Sequence, residues 1–387
     1  MRYYVLILTV LFCSLADADD VKIELKGGDR EKYINRAQIW KPTEVTKMNI
    51  LAGPQNEVSM PLNSQVECEY IEPKEQLAGR WPKFLCKTTK GHIVRVKYGA
   101  ENEEIYAEAV GSRLFWALGF YADEVYPVVV KCNRCPENPF KPDGEKRGTF
   151  LFKDAVIERN FPGVVIEEKE DQGWTWEELE KVKPSEGGAS RTQLDALRLL
   201  AVFIQHADAK PDNQRLACYP EDVVDPDRDG NAFCNQPVMM IQDLGATFGG
   251  GQDVMKMSRI DLKAWDAKGV FNTPLEAKNR ARGMNPVCYG NLTASYLAGQ
   301  EGLTDPVISE EGRQFLAGLL NQLTDKQIRD LFIVARVDQM DQTIEEGGAK
   351  RQVTVDDWVA AFKKKRKEVQ EKSCPKPPQQ ADLHREE

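Results

Sequence analysis

Two short motifs contain the residues of this sequence whose types and spacing could do chemistry. The first runs from His206 to Asn213 in the order His-Ala-Asp-Ala-Lys-Pro-Asp-Asn, and the second is Asp243-Leu-Gly245, thirty residues after Asn213. One acid, one lysine and one amide within eight residues, followed by a second acid on a glycine-terminated turn, could hold a triphosphate, a metal and a hydroxyl. The two motifs together predict a phosphoryl-transfer centre.

Each polar position of these motifs has a candidate role in that chemistry. Asp208 is the candidate base that orients or deprotonates an acceptor hydroxyl, and Lys210 can neutralise charge on the transferred group. Asn213 and Asp243 offer hard oxygen ligands that suit Mg²⁺ or Mn²⁺. The alternative for the first motif is a Lys-Pro-Asp-Asn turn with no chemical role. We expect His206 to brace the loop by hydrogen bonding.

Hydrophobic periodicity predicts the elements that must position these motifs. Apolar and polar residues alternate as in half-buried strands, and one helical stretch interrupts the alternation. The predicted elements, in chain order, are a strand from Val66 to Tyr70, a hairpin over 84–97 with its turn at Lys90-Gly91, a helix over 101–118 that ends at Gly119, and strands over 125–130 and 149–157. Strands and a helix in this order predict a small α+β lobe.

The second half of the sequence is predicted to be mainly helical. A connection rich in Pro, Gly and Ser over 181–190 precedes an apolar helix face from Leu194 to Ile204. That helix ends just before Asp208, so it would aim the first motif. Further predicted helices lie over 310–321, over 325–337 with a Thr324 N-cap, and over 355–370.

These patterns divide the chain into five predicted segments. They are a signal peptide at 1–18, an N-terminal extension without clear period at 19–65, an N-terminal lobe at 66–185, a helical lobe at 186–372 and a disordered tail at 373–387. The signal peptide is predicted from Arg2, an apolar run too short to span a bilayer comfortably, and the cleavage step Ala16-Asp-Ala18. We therefore expect a secreted mature chain without stable membrane insertion.

Eight cysteines remain after removal of the predicted signal peptide, which contains Cys13. An even number in an exported chain predicts disulfides. The close pairs that predict local bridges are Cys68 and Cys86, Cys132 and Cys135, and Cys218 and Cys234. A zinc half-site or a redox pair is the alternative for Cys132-Asn-Arg-Cys135, although no second Cys-x-x-Cys or paired histidine accompanies it.

Length and charge bound the remaining possibilities. The chain has 387 residues, 41% of them hydrophobic, which is enough for one large core or two modest ones. A formal charge of −9 argues against a partner that is a nucleic acid, because tracking phosphates requires a basic excess. The basic run from Lys363 to Arg366 is predicted to be a solvated helix face.

In order and spacing, the motifs resemble those of the protein kinases. The residues that carry the resemblance are Val94-Arg-Val-Lys97, Glu108 on the following helix, His206-x-Asp208-x-Lys210-x-x-Asn213 and Asp243-Leu-Gly245. The five-residue step from Asp208 to Asn213 is the step found in the kinase catalytic loop. In detail, the stretch from Leu118-Gly-Phe to Val125-Tyr-Pro-Val is similar to secreted Golgi casein kinases, spore-coat CotH kinases and phosphoinositide kinases. The resemblance covers about half of the chain, roughly 66–260.

The resemblance implies a two-lobed α+β fold, with a small antiparallel sheet and one key helix in the N-terminal lobe and a mainly helical C-terminal lobe. It implies that Lys97 binds the α- and β-phosphates of ATP and that Glu108 fixes the direction of Lys97. Glu104, one helical turn before Glu108, is the competing partner. The divalent metal held by Asn213 and Asp243 would bridge the phosphates.

Two features depart from the kinase pattern. No Gly-x-Gly-x-x-Gly loop precedes Lys97, so phosphate covering must use other contacts, with Gly79 and Arg80 or Lys83 as candidates. No Ala-Pro-Glu element follows Asp243. The acceptor therefore stays open among hydroxyls on protein, lipid and glycan.

An acidic loop lies between the two motifs. Asp225, Asp227 and Asp229 alternate and precede Gly230, as in half of a calcium loop, and a solvated acidic hairpin is the alternative. The sequence as a whole predicts a secreted ATP-dependent kinase. A secreted pseudokinase or nucleotide-binding module without turnover is the second hypothesis, and a calcium-dependent structural protein is a weaker third. The oligomeric state is not predicted.

Overall fold

The computed structural model describes residues 29–56, 59–74, 76–77, 79–142, 146–159, 163–166, 173–224, 233–249, 260–273, 288–292 and 301–375. Several predictions fall outside these residues: the signal peptide at 1–18, the acidic loop with Asp225, Asp227 and Asp229, and residues 376–387 of the predicted tail. The predicted disorder of 373–387 is wrong for its first residues, because Cys374 is buried and bonded to Cys288. Within the described part the chain is a mixture of α-helices and β-strands, as the predicted α+β class requires.

The helices are α1 (Asp29–Arg36), α2 (Glu104–Leu118), α3 (Arg191–Ile204), α4 (Leu262–Ala267), α5 (Glu310–Gln322), α6 (Asp325–Val334) and α7 (Val355–Glu371). The strands are β1 (Gln65–Ile71), β2 (Lys83–Thr88), β3 (Ile93–Tyr98), β4 (Glu124–Pro136), β5 (Arg147–Arg159), β6 (Val164–Val165), β7 (Gln214–Cys218), β8 (Val223–Val224), β9 (Phe233–Cys234), β10 (Pro237–Ile241), β11 (Cys288–Tyr289), β12 (Val307–Ile308), β13 (Thr343–Glu346) and β14 (Ala349–Gln352).

The first five strands form a closed barrel in the order β1-β2-β3-β5-β4. The prediction of a simple antiparallel sheet is therefore wrong in one respect, because β1 and β4 pair in parallel and close the sheet. The physical reason is the length of β4. It runs to Pro136 rather than 130, so its residues 129–133 pair with β1 while the strand also pairs with β5. The barrel interior is a hydrophobic cluster of its own, which includes Phe84, Val96 and Tyr126.

The predicted helix ends are confirmed where caps were expected. Gly119 adopts the left-handed conformation that ends α2, with φ of 86°. The Thr324 side chain accepts the Gln327 amide at the start of α6. Ser190 does the same for Gln193 at the start of α3, and both helices begin with a capping box.

A larger hydrophobic core unites α2 with the helical half of the chain. Apolar residues of α2, α3, α5, α6 and α7 belong to one buried cluster. The extension contributes Ile34, Val45 and Ile50 to the same cluster, so this part of 19–65 has a structural role that its sequence did not indicate. The predicted lobes thus share a core, and their boundaries remain a prediction.

The extension also holds the C-terminal end of α2. Trp40 Nε1 donates to the Leu118 carbonyl and Thr43 Oγ1 to the Ala117 carbonyl, each at 2.7 Å. The Lys41 amide donates to the Gly119 carbonyl at 2.9 Å. The last carbonyls of a helix have no partner inside it, so these donors replace water at the end of α2.

All eight cysteines outside the predicted signal peptide are joined in disulfides. The local bridges Cys68–Cys86, Cys132–Cys135 and Cys218–Cys234 are confirmed. Cys288 and Cys374, which the sequence left unassigned, form the fourth bridge across 86 positions.

The basic run on α7 is only partly solvated. Lys364 is exposed and Lys363 partly exposed, and they pair with Asp266 and Asp325, as a solvated face predicts. Lys365 corrects the prediction: it is buried, donates to the Lys268 carbonyl and lies over the Trp265 ring. Its aliphatic stem packs against the core while its ammonium finds a carbonyl.

Across the described ranges, no helix combines enough length with enough apolar character to cross a membrane.

Candidate functional site

The strand pair β7 and β10 brings the two sequence motifs together. The strands are antiparallel, with Gln214 opposite Ile241, so the residues just before β7 and just after β10 lie at the same end. The backbone carbonyl of Asn213 accepts the amides of Gln242 at 2.8 Å and Asp243 at 3.3 Å. Asn213 and Asp243, thirty positions apart, are therefore neighbours because the ladder continues one step beyond each strand.

The loop from His206 to Lys210 is held by its carbonyls. Asn213 Nδ2 donates to the Asp208 carbonyl at 2.6 Å. Gln214 Nε2 and Trp176 Nε1 donate to the Ala209 carbonyl at 2.8 and 3.1 Å. Three side chains thus fix the backbone that directly follows the Asp208 side chain, which favours a set position for its carboxylate.

Trp176 belongs to a segment whose contribution sequence reasoning missed. Its neighbour Trp174 is also fully buried and donates to the Met240 carbonyl at 3.0 Å. The two tryptophans therefore link the first motif to the strand that delivers the second. Two tryptophans in three residues were the available signal, because a polar connection seldom needs such large apolar side chains.

Lys97, at the end of β3, is the centre of the site. Its ammonium contacts Glu108 on α2 directly and lies 3.2 Å from Glu158, 3.6 Å from Asp243 and 3.9 Å from Glu104. Glu108 is the partner at hydrogen-bond distance, and Glu104 is near but farther. The structure thus brings together Lys97, Glu108 and Asp243, which the sequence placed on a strand, a helix and a turn.

Glu158 on β5 is a site residue that the sequence did not indicate. It lies opposite Arg95 in the β3–β5 ladder, and the two side chains form an ion pair at 2.5 Å. Arg95 and Lys97 share one face of β3, since side chains two apart point the same way. The available signal was a charged Glu158 at the end of the otherwise apolar run Ala155-Val-Ile.

Close packing of α2 against the second motif explains the short distances. A Cβ on Gly245 would lie 2.9 Å from Glu104 Cγ, and a Cβ on Gly111 would lie 3.0 Å from Leu244 Cβ. Glycine at these two positions lets the helix and the Asp243-Leu-Gly turn touch. The glycine that ends the motif therefore makes room for α2.

The electrostatics of this cluster favour a charged lysine and a charged Asp243. Burial opposes ionisation of Lys97, but Asp243, Glu108, Glu158 and Glu104 outweigh it and raise the pKa of Lys97 well above its usual value. For Asp243, burial is likewise outweighed, by Lys97 and by the Gly245 amide, so its pKa is lowered.

Glu108 shows the opposite direction. Burial raises the pKa of Glu108 well above its usual value, and the neighbouring carboxylates act in the same direction against the stabilising charge of Lys97. Four carboxylates around one ammonium exceed what it can neutralise. Acids thus outnumber the two cations Lys97 and Arg95 in the cluster, and Lys97 shares its charge among several carboxylates.

Asp208 and Lys210 lie in a more open environment. Lys210 Nζ is 3.7 Å from Asp208 Oδ2, and 31% and 22% of the two side chains are accessible. Burial of part of the carboxylate raises the pKa of Asp208 above its usual value, although Lys210 acts against it. A carboxylate that is half-buried and has a raised pKa is better suited to accept a proton than a fully solvated one.

The expected bracing role of His206 is wrong. The side chain is fully buried, and neither ring nitrogen has a hydrogen-bond partner within the described residues. Burial lowers the pKa of His206 to about 4, which keeps the imidazole neutral. The ring instead packs edge-on against Trp176, with centroids 6.4 Å apart. His206 acts as a packed aromatic ring because the carbonyls of its loop are already occupied by other donors.

The residues available for a metal fit Mg²⁺ bound together with phosphates. Asp243 Oδ1 accepts the Gly245 amide and Asn213 Nδ2 is occupied by the Asp208 carbonyl, which leaves Asp243 Oδ2 and Asn213 Oδ1 as hard ligands. In the described part of the chain, no group of three His, Cys, Asp or Glu side chains could hold a metal alone. Mg²⁺ typically uses one or two carboxylates with substrate phosphates and water, so the two oxygens suffice.

Gly79 lies in the segment between β1 and β2, beside Lys83. It has a φ of 96°, and a Cβ at this position would lie 2.6 Å from Lys83 Nζ. Gly79 is thus next to the site end of β2, because Lys83 is directly opposite Lys97 across the β2–β3 ladder.

Comparison with known proteins gives weak similarities. No protein-family model and no curated protein matches the chain. Among solved structures, the Helicobacter pylori proinflammatory kinase CtkA is 11% identical with a TM-score of 0.40, covering 80% of this chain and 97% of that chain. The Rio2 kinase of Chaetomium thermophilum, in a complex with ADP, Mg²⁺ and phosphoaspartate, is 10% identical with a TM-score of 0.27, covering 68% and 70%. Both neighbours are protein kinases, and with TM-scores this low neither match decides the activity of this chain.

Proposed function

We propose that this chain is a secreted, atypical ATP-dependent kinase, with a two-lobed kinase-like fold, that transfers the γ-phosphate to a hydroxyl acceptor. The observation that carries the proposal is the position of the Lys97 ammonium, in contact with Glu108 and 3.6 Å from Asp243. A lysine on the third strand, paired with a glutamate on the next helix and close to the acid of an Asp-x-Gly turn, is the arrangement that protein kinases need for phosphoryl transfer.

Each residue has a role in this proposal. ATP with Mg²⁺ supplies the transferable phosphoryl group and the charge that offsets its oxygens. Asp243 and Asn213 hold the metal through one oxygen each, and Lys97 contacts the α- and β-phosphates. Glu108 keeps Lys97 extended toward the site, and Glu158 supports it from the barrel.

Asp208 and Lys210 are assigned to the acceptor side. Asp208 orients the acceptor hydroxyl and takes its proton as the phosphoryl group moves, which its raised pKa supports. Lys210, 3.7 Å away, stabilises negative charge that develops on the transferred group. The acceptor is proposed to be a hydroxyl on a protein, a lipid or a glycan, and the choice among these three classes stays open.

Secretion is part of the proposal and rests on the cysteines. Four disulfides in the described chain are expected of a protein that folds in an oxidising compartment. Mn²⁺ in place of Mg²⁺ and a structural Ca²⁺ in the acidic loop remain predictions.

The experiment is a turnover assay on the purified full chain with Mg²⁺ and γ-labelled ATP. It follows autophosphorylation, ATP hydrolysis and transfer to mixed protein, lipid and glycan acceptors. Transfer supports the proposal. Absence of all three, together with a thermal shift caused by ATP, would favour the nucleotide-binding module without turnover. Absence of both turnover and binding refutes the function.

A further inference from the structure

Lys83, at the start of β2, lies beside the candidate site, and the sequence indicated it only as one of three candidates for covering the phosphates. It is directly opposite Lys97 in the antiparallel β2–β3 ladder. Side chains directly opposite point to the same face and lie about 5 Å apart at Cβ, where like charges destabilise a sheet. Two adjacent lysines at the site end of the barrel therefore repel each other, and the acids Glu104 and Asp243 offset part of this repulsion.

The two lysines differ in their electrostatic neighbours. Lys97 has four carboxylates within 3.9 Å. Among the described residues, Lys83 takes part in no ion pair at or below 4.0 Å. Its pKa is lowered, first by burial and then by the charge of Lys97. Lys83 is thus a partly buried cation without a counter-ion in contact, attracted by Glu104 and Asp243 only from farther away, whereas Lys97 contacts Glu108 directly.

The surroundings of Lys83 are open to a ligand. It lines a cavity of about 770 Å³ between the segment after β1 and the segment after β4, together with residues such as Lys74, Phe140 and Lys141. Gly79 contributes to the position of the ammonium, since a side chain at 79 would collide with Lys83 Nζ at 2.6 Å. Gly79, in the segment that would carry phosphate-covering glycines in a typical kinase, thus lies beside the Lys83 ammonium.

We propose that Lys83 is a second phosphate-binding residue of the site, adding positive charge beside Lys97, whose own charge is shared with four carboxylates. The proposal rests on the assigned kinase function, and it explains how a site without a Gly-x-Gly-x-x-Gly loop can cover phosphates. In this arrangement Lys97 contacts the phosphates from β3 while it also holds Glu108 and α2 in position. Lys83 contacts the phosphate oxygens of the nucleotide, and Gly79 leaves room for its ammonium.

The test is calorimetric binding of ATP, ADP and adenosine, with Mg²⁺, to the full chain and to Lys83→Met. Loss of a charge-assisted contact is expected to weaken ATP and ADP about 10- to 100-fold and to leave adenosine binding unchanged. Lys83→Arg should retain most of the affinity, because it keeps the charge. Lys87→Met is the matched control, an exposed lysine on the same face of β2.

Stability separates this role from a merely structural one. The melting temperature of the nucleotide-free Lys83→Met protein should stay close to that of the parent chain, because repulsion by Lys97 and attraction by Glu104 and Asp243 oppose each other. A lower melting temperature with unchanged ATP affinity would overturn the proposal, as would Lys83→Met binding ATP like the parent chain. Lys83→Gln serves in place of the methionine variant should that fold poorly. If the parent chain binds neither ATP nor tripolyphosphate, both the function and this inference fail, whereas equal ATP binding by parent and variant removes Lys83 alone.

Discussion

The Lys97 cluster and the Asp208 loop differ in how their charges are arranged. Around Lys97, side chains from a strand, a helix, a second strand and a turn converge in a buried cluster with more acids than bases. In the loop, Asp208 and Lys210 are partly accessible and form one loose pair, while the backbone between them is tightly held. The difference indicates that the first region fixes geometry and the second leaves side chains free to react.

The largest expected effect comes from Asp243→Asn, which tests the metal-binding part of the fixed region. Loss of the carboxylate removes a metal ligand, so we expect transfer to fall by at least about 1,000-fold and Mg²⁺-dependent ATP affinity to fall with it. Calorimetry with and without Mg²⁺, alongside the transfer assay, measures both. Asp212→Asn is the control, since Asp212 is exposed beside Asn213. Unchanged ATP affinity in Asp243→Asn would contradict the assignment.

The reactive region is tested by Asp208→Asn, which keeps the shape of the side chain. Loss of the proton acceptor should lower transfer by about 100- to 1,000-fold, while ATP affinity stays within about 3-fold. Single-turnover transfer and ATP binding give the two numbers. If transfer and ATP affinity fall together, Asp208 contributes to nucleotide binding, and the two regions do not differ in the way described above.

A smaller effect is expected within the Lys97 cluster itself. Glu108→Gln replaces the carboxylate that contacts Lys97 directly, and transfer should fall about 10- to 100-fold because Lys97 is less well held. Glu104→Gln is the matched comparison on the same helix, 3.9 Å from Lys97, with an expected change of less than about 3-fold. If Glu104→Gln lowers transfer more than Glu108→Gln does, Glu104 rather than Glu108 is the glutamate that positions Lys97.

The last prediction concerns stability rather than activity. The folded-state pKa of His206 is about 4, below the unfolded value of about 6.5. The unfolded chain therefore binds the extra proton between these values, so the contribution to stability is full above pH 6.5 and is lost as pH falls toward 4. The loss amounts to about 3 kcal/mol at 1.36 kcal/mol per pKa unit.

Chemical denaturation at a series of pH values measures this loss. His206→Leu should flatten the free energy of unfolding between pH 6.5 and 4, whereas His92→Leu, in the β2–β3 turn, should keep the slope of the parent chain. A slope in His206→Leu equal to that of the parent chain would show that other groups cause the pH dependence.

Local patterns predicted much of the fold, because they depend on neighbouring residues. Alternation predicted the β2–β3 hairpin, and the N-cap Thr324 marked the start of α6. Barrel closure was not predictable in this way, since pairing of β1 with β4 depends on how far β4 extends beyond its apolar core. The contribution of the extension was equally hidden, because Val45 and Ile50 stand in a stretch without a period.

The candidate site likewise has residues that local sequence patterns predicted and residues that they did not. Motif spacing indicated Lys97, Asp208 and Asp243, because chemistry constrains residue type and order. Glu158 was missed because its importance arises from strand register, which places it opposite Arg95. The error on His206 has a similar cause, since the donors that occupy its loop come from positions that no local pattern connects to it.

The donors from Trp40, Lys41 and Thr43 at the end of α2 bear on where the functional unit begins. A truncation that starts at residue 66 would keep every motif of the site but would expose the final carbonyls of the helix that carries Glu108. In such a shortened protein, the helix that carries Glu108 would be held less firmly at its C-terminal end. The smallest unit that could carry the proposed activity therefore includes the stretch before the barrel, because shortening the chain to its recognisable motifs would remove part of what orients them.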